Sequence, residues 1–283
     1  MALVQHAPRL GDLAANVEWA SETLRAEVQR GEDLVVFPEL SLCGYLLKDL
    51  VPETAIRLDG PEVAELVAAV GSASAVVGAV VESRSHRFYN AAILIADGAV
   101  RHVHRKVYLP TYGMFDEQRY LAAGDRFETV DLPLADGQTW RIGILICEDF
   151  WHPTSPYLLS RVGADLIICT SASPGRGIGA GQAELGTASV WGAIASAYAS
   201  SLTTYVAFCN RVGFEDGLYF WGGSRVVGPD GSLDQEVADD QTTVLRAELD
   251  RGLLRRVRIA YPLLRDERED VVRRQLEVRP DDV

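Results

Sequence analysis

Residues 141–153 read RIGILICEDFWHP, from Arg141 to Pro153. An apolar run of strand length, 139–147, stops at a thiol, Cys147. Two acids, two aromatics, a histidine and a proline follow at once. A structural cysteine packs as a small hydrophobe and needs no such neighbours. A nucleophile does, because cysteine attacks carbonyl carbon as the thiolate and requires a base or a cation beside it. Open α/β sheets collect their ligands at strand ends. The stretch therefore predicts a strand, a thiol at its tip, and partners for that thiol at the ends of other strands.

Working outward, strand and helix signals alternate. Residues 2–7 predict a short strand. Leu13, Val17, Ala20, Leu24 and Val28 fall on one helical face, with Asp12 as cap and Gly31 as stop. DLVVFP (33–38) predicts a strand closed by proline. GPEVAELVAAVG (60–71) predicts a helix with Pro61 near its start. Strands follow at 75–82, 88–96 and 99–105, the last two joined through Asp97-Gly98, a hairpin pair. Residues 106–126 read as a polar, aromatic loop. Strands near 127–132 and 139–147 flank Asp136-Gly137. A helix near 155–163, the strand ADLIICTSA, a helix within 184–201 and the strand TTYVAFCN come next. Residues 218–249 carry a hairpin signal around Gly228-Pro-Asp-Gly231. Alternation with inserted hairpins predicts an α/β fold with mixed sheets. The charged end from 263 to 283 reads as an arm outside the main domain, 1–262, available to oligomer contacts.

Bulk properties narrow the partners. The chain has 283 residues, 48% hydrophobic and 24% charged, the range of an ordinary globular protein. A formal charge of −13 repels nucleic acid and anionic membranes, so neither is an expected partner. No apolar run reaches the roughly 18 residues of a membrane span. The first residues lack the basic and apolar regions of a secretory leader. Cysteines at 43, 147, 169 and 209 form no C-x-x-C pair, so neither a zinc site nor a disulfide framework is expected; a reducing cytoplasm is.

Two further residues match the needs of a Cys147 nucleophile. Glu39 lies just past the apolar run LVVFP. Lys106 lies where a strand meets a loop rich in Tyr, Phe, Gly and Pro. Each has an ordinary reading: a solvated glutamate, a surface lysine, a core cysteine. Three motifs bring them together. VVFPELSLCGY, HRKVYLPTYGMFDEQRY and GILICEDFWHP resemble, in this order, the glutamate, lysine and cysteine segments of the nitrilase superfamily of carbon–nitrogen hydrolases, and ADLIICTSASP and YFWGGSRVVGPDGSL look familial as well. The resemblance runs over about residues 1–265. Within the superfamily it is nearest to the glutaminase domain of glutamine-dependent NAD synthetases. The Ser-Gly-Gly-x-Asp-Ser loop of a synthetase domain is not in the sequence, so the expectation is a chain that does not make NAD.

The resemblance implies a four-layer α-β-β-α sandwich with mixed sheets and a Glu–Lys–Cys triad. Glu39 acts as general base with a carboxylate not pinned in a strong ion pair, Lys106 and the Glu148 N–H steady the oxyanion, Cys147 attacks, and Glu117 is the second acid. No metal or organic cofactor is required. Glu-Asp after the cysteine, where true nitrilases tend to have Trp-Glu, favours an amide substrate. Tyr45, Tyr112, Phe115, Glu148, Ser171 and Ser173 are the residues expected to line the pocket, with Glu148 facing a substrate α-amino group. A homodimer or higher homo-oligomer is implied. Glutamine, small aliphatic amides, ω-amides of dicarboxylic acids and N-carbamoyl compounds stay open as substrates; a free-standing glutaminase supplying ammonia to a separate synthetase and a nitrilase are the alternative activities.

Rival readings are weaker. A papain-like pairing of Cys147 with His152 leaves Glu39 and Lys106 without roles. His102 and His104 share a strand face but have no third metal ligand, and read as partly exposed. The run Gly175-x-Gly177-x-x-Ala180 has the form of a dinucleotide-binding turn, but the next strand ends in Asn210 and Arg211 instead of an acid.

Overall fold

The computed structural model describes residues 1–134, 137–175, 186–237 and 240–278. Its centre is two six-stranded sheets. The strands are β1 (Ala2–Gln5), β2 (Leu34–Val36), β3 (Ser74–Glu82), β4 (Phe88–Ala96), β5 (Ala99–Arg105), β6 (Thr129–Pro133), β7 (Thr139–Ile146), β8 (Leu166–Ser171), β9 (Tyr205–Asn210), β10 (Val212–Glu215), β11 (Leu218–Trp221), β12 (Arg225–Val227), β13 (Leu233–Glu236) and β14 (Thr243–Arg246). The first sheet runs β14-β1-β2-β3-β4-β5 and the second β13-β12-β9-β8-β7-β6. Each has a parallel trio, β1-β2-β3 or β7-β8-β9, flanked by antiparallel strands.

The four layers follow from side chains that alternate across a strand. Leu3, Val36, Val76, Ala92 and Leu94 point from the first sheet into a core shared with Ile142, Ile144, Ile146 and Ile168 of the second. Their neighbours Ala2, Val4, Val35, Val77 and Ile93 point the other way, onto Val17, Ala20 and Leu24 of the helix Leu13–Gln29 and Val63 and Leu66 of the helix Pro61–Val70. Leu159 of the helix Thr154–Arg161 and Trp191, Ala195 and Ala199 of the helix Gly186–Ser201 pack on the second sheet. Central strands buried on both faces are apolar throughout, which is why they appear in the sequence as continuous runs. The α-β-β-α expectation stands.

Several local expectations needed correction. The first helix buries Asn16, Ser21 and Glu27 beside its apolar face, while Val28 is only half-buried. Asn16 bonds the carbonyls of Arg9 and Leu42, and Glu27 takes both arms of the Arg246 guanidinium, so partners on other elements make their burial tolerable. The loop 106–126 contains a short helix, Glu117–Tyr120. The hairpin β10–β11 turns through Asp216 and Gly217, both at positive φ, a signal of the same kind as Asp97-Gly98. The helix Arg251–Ala260 was not anticipated either. Asp136 and most of the run from Gly175 to Ala180 lie outside the described residues. Among the described residues no helix is long and apolar enough to cross a membrane.

One strand residue sets the approach of the Glu39 segment. Gly78 of β3 exchanges hydrogen bonds with the Ser41 hydroxyl and accepts one from Leu42 N–H. A Cβ at this position would lie 2.4 Å from Pro38 O and 2.5 Å from Leu40 N, both backbone atoms. Gly78→Ala is therefore expected to destabilise the fold by about 1–3 kcal/mol, the usual cost of overpacking, and to displace Glu39. Urea unfolding measures this; a variant as stable as the parent would show that the segment yields freely.

Candidate active site

The ends of the two parallel trios lie side by side. Glu39 follows β2 of the first sheet; Cys147 directly follows β7 of the second. Lys106 directly follows β5, and its N–H donates to Asn90 O on β4. Glu117 opens the short helix in the loop that follows.

Three of these side chains make one buried cluster. Lys106 Nζ donates to Glu39 Oε1 at 2.8 Å and to Glu117 Oε1 at 2.7 Å, and the lysine and Glu39 side chains are both 0% exposed. Glu39 also accepts from Asn90 Nδ2 on Oε1 and from Ala172 N–H on Oε2, each at 2.7 Å. Ala172 follows β8, so this last bond ties the glutamate of one sheet to the backbone of the other. The expectation of a Glu39 carboxylate free of a strong ion pair is overturned. The pair is direct, and Lys106 divides its charge between two carboxylates. Neither the solvated-glutamate nor the surface-lysine reading survives this burial.

Burial sets the protonation states. It opposes the charge on Lys106, but Glu117 and then Glu39 outweigh it and hold the ammonium well above the ordinary lysine range. Burial first, with Glu39 beside it, pushes Glu117 up to about 7 against the pull of Lys106. Burial and the nearby Glu39 raise the Cys147 thiol well above its usual range, against Lys106 and Ser171. At neutral pH the resting sulfur thus carries its proton, and a base must remove it.

Cys147 sits at φ +44°, ψ −98° as the residue before the short helix Glu148–Trp151. A β-carbon strains that conformation. The turn is bracketed by Asp149, which is 0% exposed. Its Oδ2 accepts from Ile146 N–H at 3.1 Å and bonds His104 Nε2 at 2.8 Å; its Oδ1 accepts from Val107 and Tyr108 N–H at 3.0 and 2.9 Å. One carboxylate thereby ties the cysteine turn to the residues flanking Lys106. Sequence reasoning missed both Asp149 and Asn90. It also read His104 as partly exposed, whereas His104 is buried with its Nε2 against this carboxylate, a partner that makes the burial of a polar ring tolerable. Among the described residues no cluster of His, Cys, Asp or Glu is arranged to hold a metal ion.

The expected pocket residues divide. Tyr45 donates its hydroxyl to Glu117 Oε1 at 2.6 Å, and burial and the two glutamates keep the phenol protonated. Phe115 meets both Tyr45 and Tyr112 edge to face. The Tyr112 hydroxyl donates to Glu148 Oε2 at 2.8 Å. The Ser171 hydroxyl, at the tip of β8, has no hydrogen-bond acceptor among the described residues and lies near enough to the thiol to ease its ionisation. Ser173 is not brought into the cluster. Its Oγ accepts from the indole N–H groups of Trp191 and Trp221, and that keeps it in the core.

Comparison with known proteins shows the family of the chain. Residues 1–259 match the family model for carbon–nitrogen hydrolases. The chain is 32% identical over 259 residues to the glutamine-dependent NAD(+) synthetase of Thermotoga maritima, covering 89% of this chain and 42% of that protein. It therefore spans about two-fifths of the length of such relatives. It is also 32% identical over 274 residues to an (R)-stereoselective amidase from a Pseudomonas species, covering 94% and 90% of the two chains. Among solved structures, the glutamine-dependent NAD+ synthetase of Acinetobacter baumannii superposes with a TM-score of 0.77 at 28% identity, over 89% of this chain and 46% of the other.

The Asp149 bracket is open to a direct check. Asp149→Asn replaces one acceptor oxygen by a donor facing N–H groups already in place. It is expected to cost about 1–3 kcal/mol for each buried donor left unpaired and to slow alkylation of Cys147 by iodoacetamide. Unfolding curves and alkylation rates matching the parent would remove Asp149 from the account.

Proposed function

This chain belongs to the carbon–nitrogen hydrolase family, and from that premise we propose that it cleaves a small non-peptide amide to carboxylate and ammonia through a thioester on Cys147. The observation that carries this reading is the buried Glu39–Lys106–Glu117 cluster beside the strained Cys147 turn.

Glu39 takes the proton from the Cys147 sulfur as the sulfur attacks the amide carbon. The carbonyl oxygen becomes an oxyanion, which Lys106 Nζ and the Glu148 N–H stabilise by charge and hydrogen bonding. Collapse of the tetrahedral adduct expels ammonia with the proton held on Glu39, leaving a thioester. Glu39 then draws a proton from water, the water oxygen attacks the thioester, and the carboxylate product leaves as the sulfur regains its proton. Glu117 steadies Lys106 through a second hydrogen bond to Nζ. No step calls for a metal or an organic cofactor.

The substrate class rests on fewer residues. Glu148, next to the nucleophile, is 14% exposed in its side chain and bonded by Tyr112. A carboxylate there suits a substrate carrying an ammonium group, so an ω-amide of an amino acid such as glutamine is the first to test. The amidase similarity over nearly both whole chains supports simple amides as the broader class. Exposed Ile259, Tyr261 and Leu276 support a homo-oligomer with the C-terminal segment at the contact; a monomer in sedimentation at micromolar concentration would contradict it.

Ammonia release should be measured from glutamine, asparagine, short aliphatic amides, an N-carbamoyl amino acid and a nitrile. Cys147→Ala, Glu39→Gln and Lys106→Met are each expected to lower kcat on the order of a thousandfold or more, and in combination by little beyond the worst single change. Full turnover by Cys147→Ala would refute the mechanism.

A further inference from the structure

The mechanism makes no use of a second buried ion pair close to the site. Arg211, just after β9, is 1% exposed, and its Nη1 donates to Glu215 Oε2 at 2.6 Å. Nε and Nη2 of Arg211 have no hydrogen-bond partner among the described residues, and its guanidinium lies 4.1 Å from the centre of the Phe220 ring. A pair of this kind is a poor stabiliser, since desolvating two charges offsets most of their attraction. Its position is more informative. Glu215 Oε1 accepts from the N–H groups of both Tyr45 and Leu46 at 2.8 Å, so the carboxylate grips the backbone that carries Tyr45. Tyr45 in turn donates its hydroxyl to Glu117, which bonds Lys106.

We infer that Glu215, held by Arg211, is a positioning residue for the hydrolysis: it fixes the Tyr45 backbone so that the Tyr45 hydroxyl keeps Glu117 turned onto Lys106. This rests on the catalytic reading of the cluster given above. The surroundings are built for the grip. Gly44 has φ +83°, and a Cβ there would lie 2.7 Å from Glu215 Oε2 and 2.9 Å from Leu10 Cα, so only glycine lets the loop come this close to the carboxylate. Phe220, beneath the guanidinium, meets the Tyr45 ring edge to face with centroids 6.2 Å apart. Arg211 N–H donates to Ser171 O at 3.2 Å, which ties the pair to the strand end beside the thiol. Glu215 and Arg211 touch none of the reacting atoms; they act through Tyr45.

Glu215→Asp keeps the charge and its pairing with Arg211 but shortens the reach to the Tyr45 and Leu46 N–H groups by one methylene. It should fold as the parent does and lose about tenfold in kcat, with KM within about twofold, as expected for a misplaced catalytic group. Tyr45→Phe should show the same pattern. The double variant should fall no more than about twofold below the weaker single, because both changes act on one chain of contacts. Arg211→Lys approaches the pair from the other side and should repeat the result, again with no further loss in the Tyr45→Phe background; it decides the matter if Glu215→Asp does not fold. Parental kcat in the folded variants, or losses that multiply with Tyr45→Phe, would overturn the inference and leave the functional reading intact. Absence of Cys147-dependent ammonia release by the parent itself, across the whole panel of amides, overturns both.

Discussion

Lys106 Nζ, between Glu39 Oε1 and Glu117 Oε1, is the interaction on which the site depends. Removing three ionisable groups from water costs several kcal/mol for each one charged. The surrounding chain offsets that with fixed donors: Asn90 Nδ2 and the Ala172 N–H on Glu39, and the Tyr45 hydroxyl on Glu117. Each donor comes from a different element. The cluster therefore exists only when both sheets, the loop after Lys106 and the loop after Glu39 are all in place.

The architecture serves this convergence. Two sheets with the same plan, a parallel trio flanked by antiparallel strands, pack face to face and bring the ends of β2, β5, β7 and β8 to one region. Backbone groups at those ends are not all used up by the ladders, and carboxylates use them. Asp149 gathers the N–H of Ile146, just before Cys147, and those of Val107 and Tyr108, just after Lys106; Glu215 gathers those of Tyr45 and Leu46, and Glu39 takes that of Ala172. Buried acids thus hold the loops that carry the chemistry, and the strained backbone of Cys147 is held on both sides.

Much of this plan was legible in the residues. Apolar runs marked the central strands because those strands are buried on both faces. Asp97-Gly98 marked a hairpin because both residues accept positive φ. Asp216-Gly217 carried the same signal and was overlooked, and with it the hairpin that bears Glu215. Glu39, Lys106, Glu117 and Cys147 were legible only together, from three motifs in order. Asn90, Asp149 and Glu215 were not, since an asparagine in an apolar strand or an acid in a turn has many ordinary explanations.

The sequence by itself determined the alternation of the central strands and helices, most of the buried face of the first helix and the residues able to carry cysteine chemistry, because periodicity, turn chemistry and motif spacing act over short lengths of chain. Tertiary structure alone decided what those residues bond to. It paired Glu39 with an N–H 133 residues away and Tyr45 N–H with a carboxylate 170 residues away, drew Ser173 into the core between two indoles, and placed Lys106 where two carboxylates share its charge. The reason is physical: a buried polar group must find its partner in space, and no local pattern in the chain says which distant group the packing of two sheets will bring within 3 Å.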